Sequence, residues 1–241
     1  ACDRADPDLA RNVITKFGQL VDRDLCGPLP PSFEHGYTYA NNHFDVGTKG
    51  AGFEPVVGKD GDTILESTKT FESRMRSYGP ILKYSNDGGG EYDNDKMKEY
   101  LRSKSPPTEM VVSLVDESNS NPWAEVGNWR LFTLIRALLI DPGLPINHWA
   151  AAGTMAELII WSTPIRYERL IDGTLKTFVS TPLEQCTGQR PSLGKIKLFG
   201  CVVHALLTPA ETKKHKLSSR TTTGLWICLL YTSPSPRDVC S

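Results

Sequence analysis

Few architectures accommodate the run Tyr84-Ser85-Asn86-Asp87-Gly88-Gly89-Gly90-Glu91-Tyr92-Asp93-Asn94. It closes an apolar segment, Pro80-Ile81-Leu82-Lys83-Tyr84, that reads as a strand. Consecutive glycines then let the backbone turn through conformations other residues avoid. Asn94 is placed to cap a short helix over Asp95-Lys96-Met97-Lys98-Glu99-Tyr100-Leu101. Asp87 thus falls at the C-terminal end of a strand, where small neighbours leave room for a ligand. Carboxylates often act from that position in α/β proteins. An acid in a solvated turn fits this stretch equally well.

The chain has 241 residues, 39% hydrophobic and 23% charged, enough for one large domain or a domain of about 150 residues with an extension. Its net charge of −1 argues against a strongly basic nucleic-acid coat and leaves room for a local basic patch. No apolar run approaches the roughly 20 residues of a membrane span, so no membrane partner is expected. The N-terminus, Ala1-Cys2-Asp3-Arg4, lacks a signal peptide's apolar segment and an initiator methionine, and the chain reads as a fragment. Cys2, Cys26, Cys186, Cys201, Cys228 and Cys240 form no C-x-x-C pair, and the histidines add no ligand spacing to them. A structural zinc site is therefore not expected, and reduced thiols in an intracellular setting are.

In chain order, Gln19 to Cys26 alternates as a strand and stops at Gly27-Pro28-Leu29-Pro30-Pro31. Tyr37 to Val46 and Phe53 to Val57 read as two more strands of a meander, and Pro55 assigns the last to an edge. Thr63 and Glu66 fit a capping box opening a helix whose buried stripe is Ile64, Thr68, Phe71, Met75 and Tyr78. Glu109 to Val115 reads as a fifth strand and Asp116 to Asn121 as a polar loop. Asn121 can cap a helix starting at Pro122, with Leu131, Leu134, Ile135, Leu138 and Leu139 on its apolar face. Another helix spans about Asn147 to Trp161. The expected fold is α/β: a mixed five-stranded sheet with flanking helices. Beyond it, 166–192 reads as loop-rich. Lys195 to Leu207 and Thr222 to Leu230 read as strands around a basic loop. The expected division is an irregular segment 1–13, a core 14–165, a β-containing extension 166–230 and a tail 231–241.

Asp24, Asp87 and Glu125 fall at the ends of core elements. If the first and fourth strands are neighbours, Asp24 and Asp87 can face each other and share divalent ions. Mg²⁺, which prefers oxygen ligands, suits them. Glu125 fits a third ligand, and fits equally an ordinary first-turn acid complementing the helix dipole.

Asp24-Leu25-Cys26-Gly27-Pro28, Asp87-Gly88-Gly89-Gly90-Glu91-Tyr92 and Arg136-Ala137-Leu138-Leu139 resemble segments of copia-type long-terminal-repeat retrotransposon integrases. So do Gly143-Leu144-Pro145, Trp149-Ala150, Thr187-Gly188-Gln189-Arg190-Pro191-Ser192 and Leu198-Phe199-Gly200-Cys201-Val202, in family order. The resemblance runs from about residue 14 to 227. It implies an RNase H-like catalytic core and metal-dependent DNA 3′-end processing and strand transfer. Asp24, Asp87 and Glu125 would be the catalytic acids binding Mg²⁺ or Mn²⁺. It also implies DNA partners (element ends and target), a homo-oligomer, a polyprotein origin and a nuclear location.

The departures are specific. Gly88 replaces the family's asparagine, and Val46 replaces the second of two paired aspartates after Asp45. The active-site loop, Asp116 to Pro122, keeps only Asn121. In Ala124-Glu125-Val126-Gly127-Asn128-Trp129, basic residues that would meet DNA phosphates are replaced at Val126, Gly127 and Trp129. Acids kept in altered surroundings imply a degenerate copy with impaired activity. The alternative is a non-catalytic RNase H-like module that binds nucleic acid or a partner. Candidate nucleic-acid contacts are Lys195, Lys197, Lys213, Lys214, Lys216 and Arg220, which also fit a solvated loop. Cys228 to Asp238 resembles translated adapter sequence, so residues 231–241 are expected to stand outside the fold.

Overall fold

The structure, a computed structural model, describes residues 14–86, 89–112, 122–171, 174–194, 196–206 and 221–227. Five strands make one sheet: β1 (Val21–Cys26), β2 (Tyr39–Asp45), β3 (Ala51–Val56), β4 (Lys83–Asn86) and β5 (Glu109–Val112). Their order is β3-β2-β1-β4-β5. The first three form an antiparallel meander, with Asp24 opposite Asn42 and Asn42 opposite Phe53. β4 runs parallel to β1, and β5 parallel to β4. Helix α1 (Gly61–Met75) connects β3 to β4, and α2 (Asp95–Ser103) connects β4 to β5. Helices α3 (Pro122–Ile140) and α4 (Trp149–Ser162) follow, the latter preceded by a 3₁₀ turn at Ile146–His148. This mixed sheet with flanking helices is the RNase H-like fold of integrase cores.

Period-two alternation assigns the side chains to two layers. Val21, Arg23, Leu25, Asn41 and His43 face α1 and α2, where Ile64, Phe71, Met75, Met97 and Leu101 are buried. Ala40, Phe44, Ala51 and Phe53 face α3 and α4, against Leu131, Ile135, Ala152, Ala156 and Ile160. Asp24 belongs to this second face. β3 is the sheet edge that Pro55 implies.

Local signals account for most element ends. Asn94 caps α2, its side chain accepting from the Met97 N–H at 2.9 Å. α1 begins three residues before the expected capping box: Asp60, not Thr63, is its cap. The Asp60 carboxylate accepts from Thr63 N–H at 3.0 Å and from the Thr63 hydroxyl at 2.7 Å. Ile64, Thr68, Phe71 and Met75 are buried as their spacing implies, while Tyr78 lies beyond the helix. α3 starts at Pro122. The end of the expected fifth strand, the loop that follows and the Asn121 cap lie outside the described residues.

The reading of 166–192 as loop-rich is corrected. Ile165–Ile171 (β6) and Thr174–Ser180 (β7) pair antiparallel, and Pro182–Thr187 (α5) follows. The missed signal is Asp172-Gly173, a frequent hairpin pair, between segments that alternate. Val202–Leu206 (β8) and Thr221–Leu225 (β9) pair as a second ribbon. The expected strand from Lys195 is shorter than its sequence suggested, because Leu198 to Cys201 forms a turn closed by Cys201 N–H to Leu198 C=O. Leu183 and Cys186 pack on the α1 layer, and buried Phe199 joins the α3–α4 layer with Ile196 and Trp226 against it. Residues 231–241 lie outside the described residues. Among the described residues no helix is long and apolar enough to cross a membrane.

Candidate active site on the central strand

β1 is the middle strand of the sheet, and Asp24 projects from it toward the start of α3. Its carboxylate Oδ2 accepts a short hydrogen bond from Asn128 Nδ2 and one from Cys26 Sγ at 3.5 Å. Asn128 Oδ1 in turn accepts from Asn42 Nδ2 at 2.7 Å. A chain of side chains therefore runs from β2 through α3 to β1 and fixes the Asp24 carboxylate. Oδ1 of Asp24 has no hydrogen bond among the described residues, which leaves one oxygen of a half-buried carboxylate available to a ligand. Burial, then the neighbouring Asp24 charge, pushes the Cys26 thiol up to about 12, so it stays protonated and donates.

Glu125 is exposed in the first turn of α3. Asn128 follows it by three positions, the spacing that puts two side chains on one helix face. The contact between Asn128 and Asp24 thus brings the Glu125 turn over β1. Asp87 lies outside the described residues. The chain leading to it is fixed: β4 ends at Asn86, whose Oδ1 accepts from Arg23 at 2.9 Å. Arg23 is fully buried, its guanidinium 4.1 Å from the Tyr84 ring centre and 4.5 Å from that of Tyr92. Arg23 and Asp24, adjacent in sequence, serve opposite faces of the strand.

Val126, Gly127 and Trp129 divide into two kinds. Val126 and Trp129 are exposed, at 49% and 67%. Gly127 is buried against the Phe44 ring, so a long side chain there has no path to solvent in this packing. That corrects the grouping of Gly127 with DNA-facing positions. Asp45 accepts from Gly18 N–H at 2.8 Å, Thr48 N–H at 2.7 Å and the Thr48 hydroxyl at 2.6 Å. It closes the turn between β2 and β3. Lys197 is exposed, and Lys195, Lys213, Lys214, Lys216 and Arg220 lie outside the described residues.

Sequence reasoning missed Asn128 and Asn42. The signals for Asn128 were its spacing from Glu125 and its place among the unchanged residues of Ala124 to Trp129. The donors of Asp24 and Glu125 are hard carboxylate oxygens, which fit Mg²⁺ or Mn²⁺. Among the described residues, no three His, Cys, Asp or Glu side chains gather as a metal cage.

No protein-family model matches the chain, and no curated protein matches it in sequence. Solved structures share its fold. A chain of the simian T-cell lymphotropic virus intasome, in complex with PP2A regulatory subunit B56 gamma, aligns over 88% of this chain and 68% of its own. Its TM-score is 0.54 at 14% identity. The chain has an integrase-like fold. The HTLV-2 integrase catalytic core domain, in complex with magnesium, aligns over 71% of this chain and 97% of its own in both its trimeric and dimeric forms. The TM-score is 0.49 for each, at 12% and 13% identity. At such identities the integrase-like likeness concerns the fold.

Proposed function

We propose that this chain is the catalytic core of a copia-like retrotransposon integrase, acting in DNA 3′-end processing and strand transfer, in a copy with impaired activity. The observation that carries the proposal is the approach of α3 to β1: Asn128 binds Asp24 and lies one turn from Glu125. Asp24, Asp87 and Glu125 are the acids assigned to the site. Mg²⁺ or Mn²⁺, when bound there, would supply activation of the attacking oxygen and stabilisation of the leaving one. The residues themselves hold and orient. Asn42 and Asn128 fix the Asp24 carboxylate, and the Arg23–Asn86 bond fixes the end of β4 beside β1. DNA and a second copy of the chain are the partners implied, in a nuclear setting.

Impairment rests on the exposed face of α3. Val126 and Trp129 offer no charge to a phosphate, and misplacement of reacting atoms by about 1 Å can cost ~100-fold in rate. The same face favours the second reading, a non-catalytic nucleic-acid-binding or interaction module. Calorimetry with Mn²⁺ tests the site. The wild type should be stabilised by the ion and Asp87→Asn should not; equal stabilisation of both would place the ion elsewhere. A strand-transfer assay with DNA that mimics element ends should give little product. Robust product that depends on Glu125 would refute the impairment.

A further inference from the structure

Helix α3 carries two stripes along its length. One is buried: Ala124, Leu131, Ile135 and Leu139 belong to the α3–α4 layer. The other faces solvent. Val126, Trp129, Thr133, Arg136 and Ile140 are all exposed, and they recur at alternating steps of three and four residues. That is the spacing of the a and d positions of a heptad. Val126, Trp129 and Ile140 are 49%, 67% and 76% exposed. The solvent side of a surface helix is ordinarily charged and polar, whereas a narrow a/d stripe is the seam by which one helix packs on another.

The stripe also complements itself. In a two-fold pair of copies every contact is made twice. A parallel pair in register would set Arg136 against Arg136, and like charges across an interface are costly. Reversing one helix lets a positions meet d positions. Trp129 of one copy then packs on Ile140 of the other, and Thr133 of one meets Arg136 of the other. The same contacts repeat with the copies exchanged, so apolar ends flank a polar centre. Arg136 donates to the Thr133 hydroxyl of its own chain at 3.2 Å, and its long stem lets the charged head stay in water. A polar centre of this kind fixes register and orientation at a cost in stability.

We propose that a second copy of this chain docks on the exposed face of α3, antiparallel and two-fold symmetric, with Trp129 and Ile140 as the anchoring contact. The contact needs neither metal nor DNA. The seam is short, so the dimer is weak and forms only as concentration rises. A docked copy would cover the helix one turn from Glu125, so DNA brought to that face would compete with self-association.

Sedimentation equilibrium of the full chain, without metal or DNA and over a range of concentrations, tests the contact. The wild type should pass from monomer to dimer. Trp129→Lys and Ile140→Lys should each weaken the dimer at least tenfold. Both positions are exposed, so the melting temperature of the dilute chain should not change. Arg136→Leu, which makes the centre apolar, should tighten the dimer. The double variant Trp129→Lys with Ile140→Glu sets opposite charges against each other in the antiparallel register, and should recover part of the affinity that either change alone removes. A chain that stays monomeric at every concentration would overturn the proposal, as would a dimer that Trp129→Lys does not weaken. A double variant no tighter than its single variants would overturn the register. A monomer whose DNA binding falls in Trp129→Ala would assign this face to DNA instead.

Discussion

Among the described residues, Asp24 accepts its two hydrogen bonds on one oxygen, and that asymmetry decides what its neighbours contribute. Hydrogen bonds to a charged acceptor are worth about 1.5–3 kcal/mol, more than those between neutral groups. Asn128 makes such a bond while its own carbonyl accepts from Asn42. Asn128→Ala therefore removes two bonds, the one to Asp24 and the one from Asn42. It should destabilise the chain by about 1–3 kcal/mol in urea unfolding. Asn42→Ala added on top should cost little more if the two residues act as one unit, and full additivity would show that they do not. The place of Asp24 on the first strand was legible because Gln19 to Cys26 alternates and stops at Gly27-Pro28. Asn128 was not, because its role depends on where α3 crosses β1, a long-range contact no local pattern encodes. Arg23 illustrates the same limit. A basic residue between two acids reads as exposed, yet Tyr84, Tyr92 and Asn86 enclose it completely.

At the scale of elements, glycines set how closely α3 and α4 approach the sheet. A Cβ at Gly127 would stand 2.1 Å from the Phe44 ring, and one at Gly153 would stand 2.2 Å from the Phe53 ring. Alanine is the better helix former by roughly 0.5–1 kcal/mol. Here the clash reverses that gain, since forcing extra volume into a packed core costs about 1–3 kcal/mol. Gly153→Ala should lower the melting temperature by several degrees, and a rise would mean that the layer yields. Strands and helices with a clear apolar period were legible from residue spacing alone. The β6–β7 ribbon was not, because its charged alternation, Arg166, Tyr167, Glu168, lacks the apolar face by which a strand is usually recognised. The α1 cap was misplaced because Asp60 and Thr63 both carry capping chemistry, and only the backbone path chooses between them.

At the scale of the whole molecule, one charged group joins the two layers around the open edge of the sheet. Glu157 of α4 accepts the Phe53 N–H of edge strand β3 at 3.1 Å, blocking a site where another strand could add. Arg74 of α1 bridges Glu157 at 2.8 Å and Glu54 of β3 at 2.9 Å. Two buried carboxylates thus share one guanidinium, and the cluster carries an excess negative charge. Burial raises the Glu54 carboxyl to about 7, with Glu157 adding to the rise and Arg74 opposing it. Glu157 is raised by burial as well. The folded chain therefore holds a Glu54 proton more tightly than the unfolded chain, whose ordinary value is 4.5. The stability this provides is full below about pH 4.5 and is lost as the pH rises through about 7. Glu54→Gln keeps the shape and the bonding capacity but has no proton to lose. Urea unfolding at pH 5, 6.5 and 8 should show wild-type stability falling relative to Glu54→Gln across that range. Most of the divergence should come between pH 5 and 8, where the fold gives up its proton. Parallel profiles for the two proteins would mean that Arg74 neutralises both carboxylates, and that the edge clasp does not respond to pH.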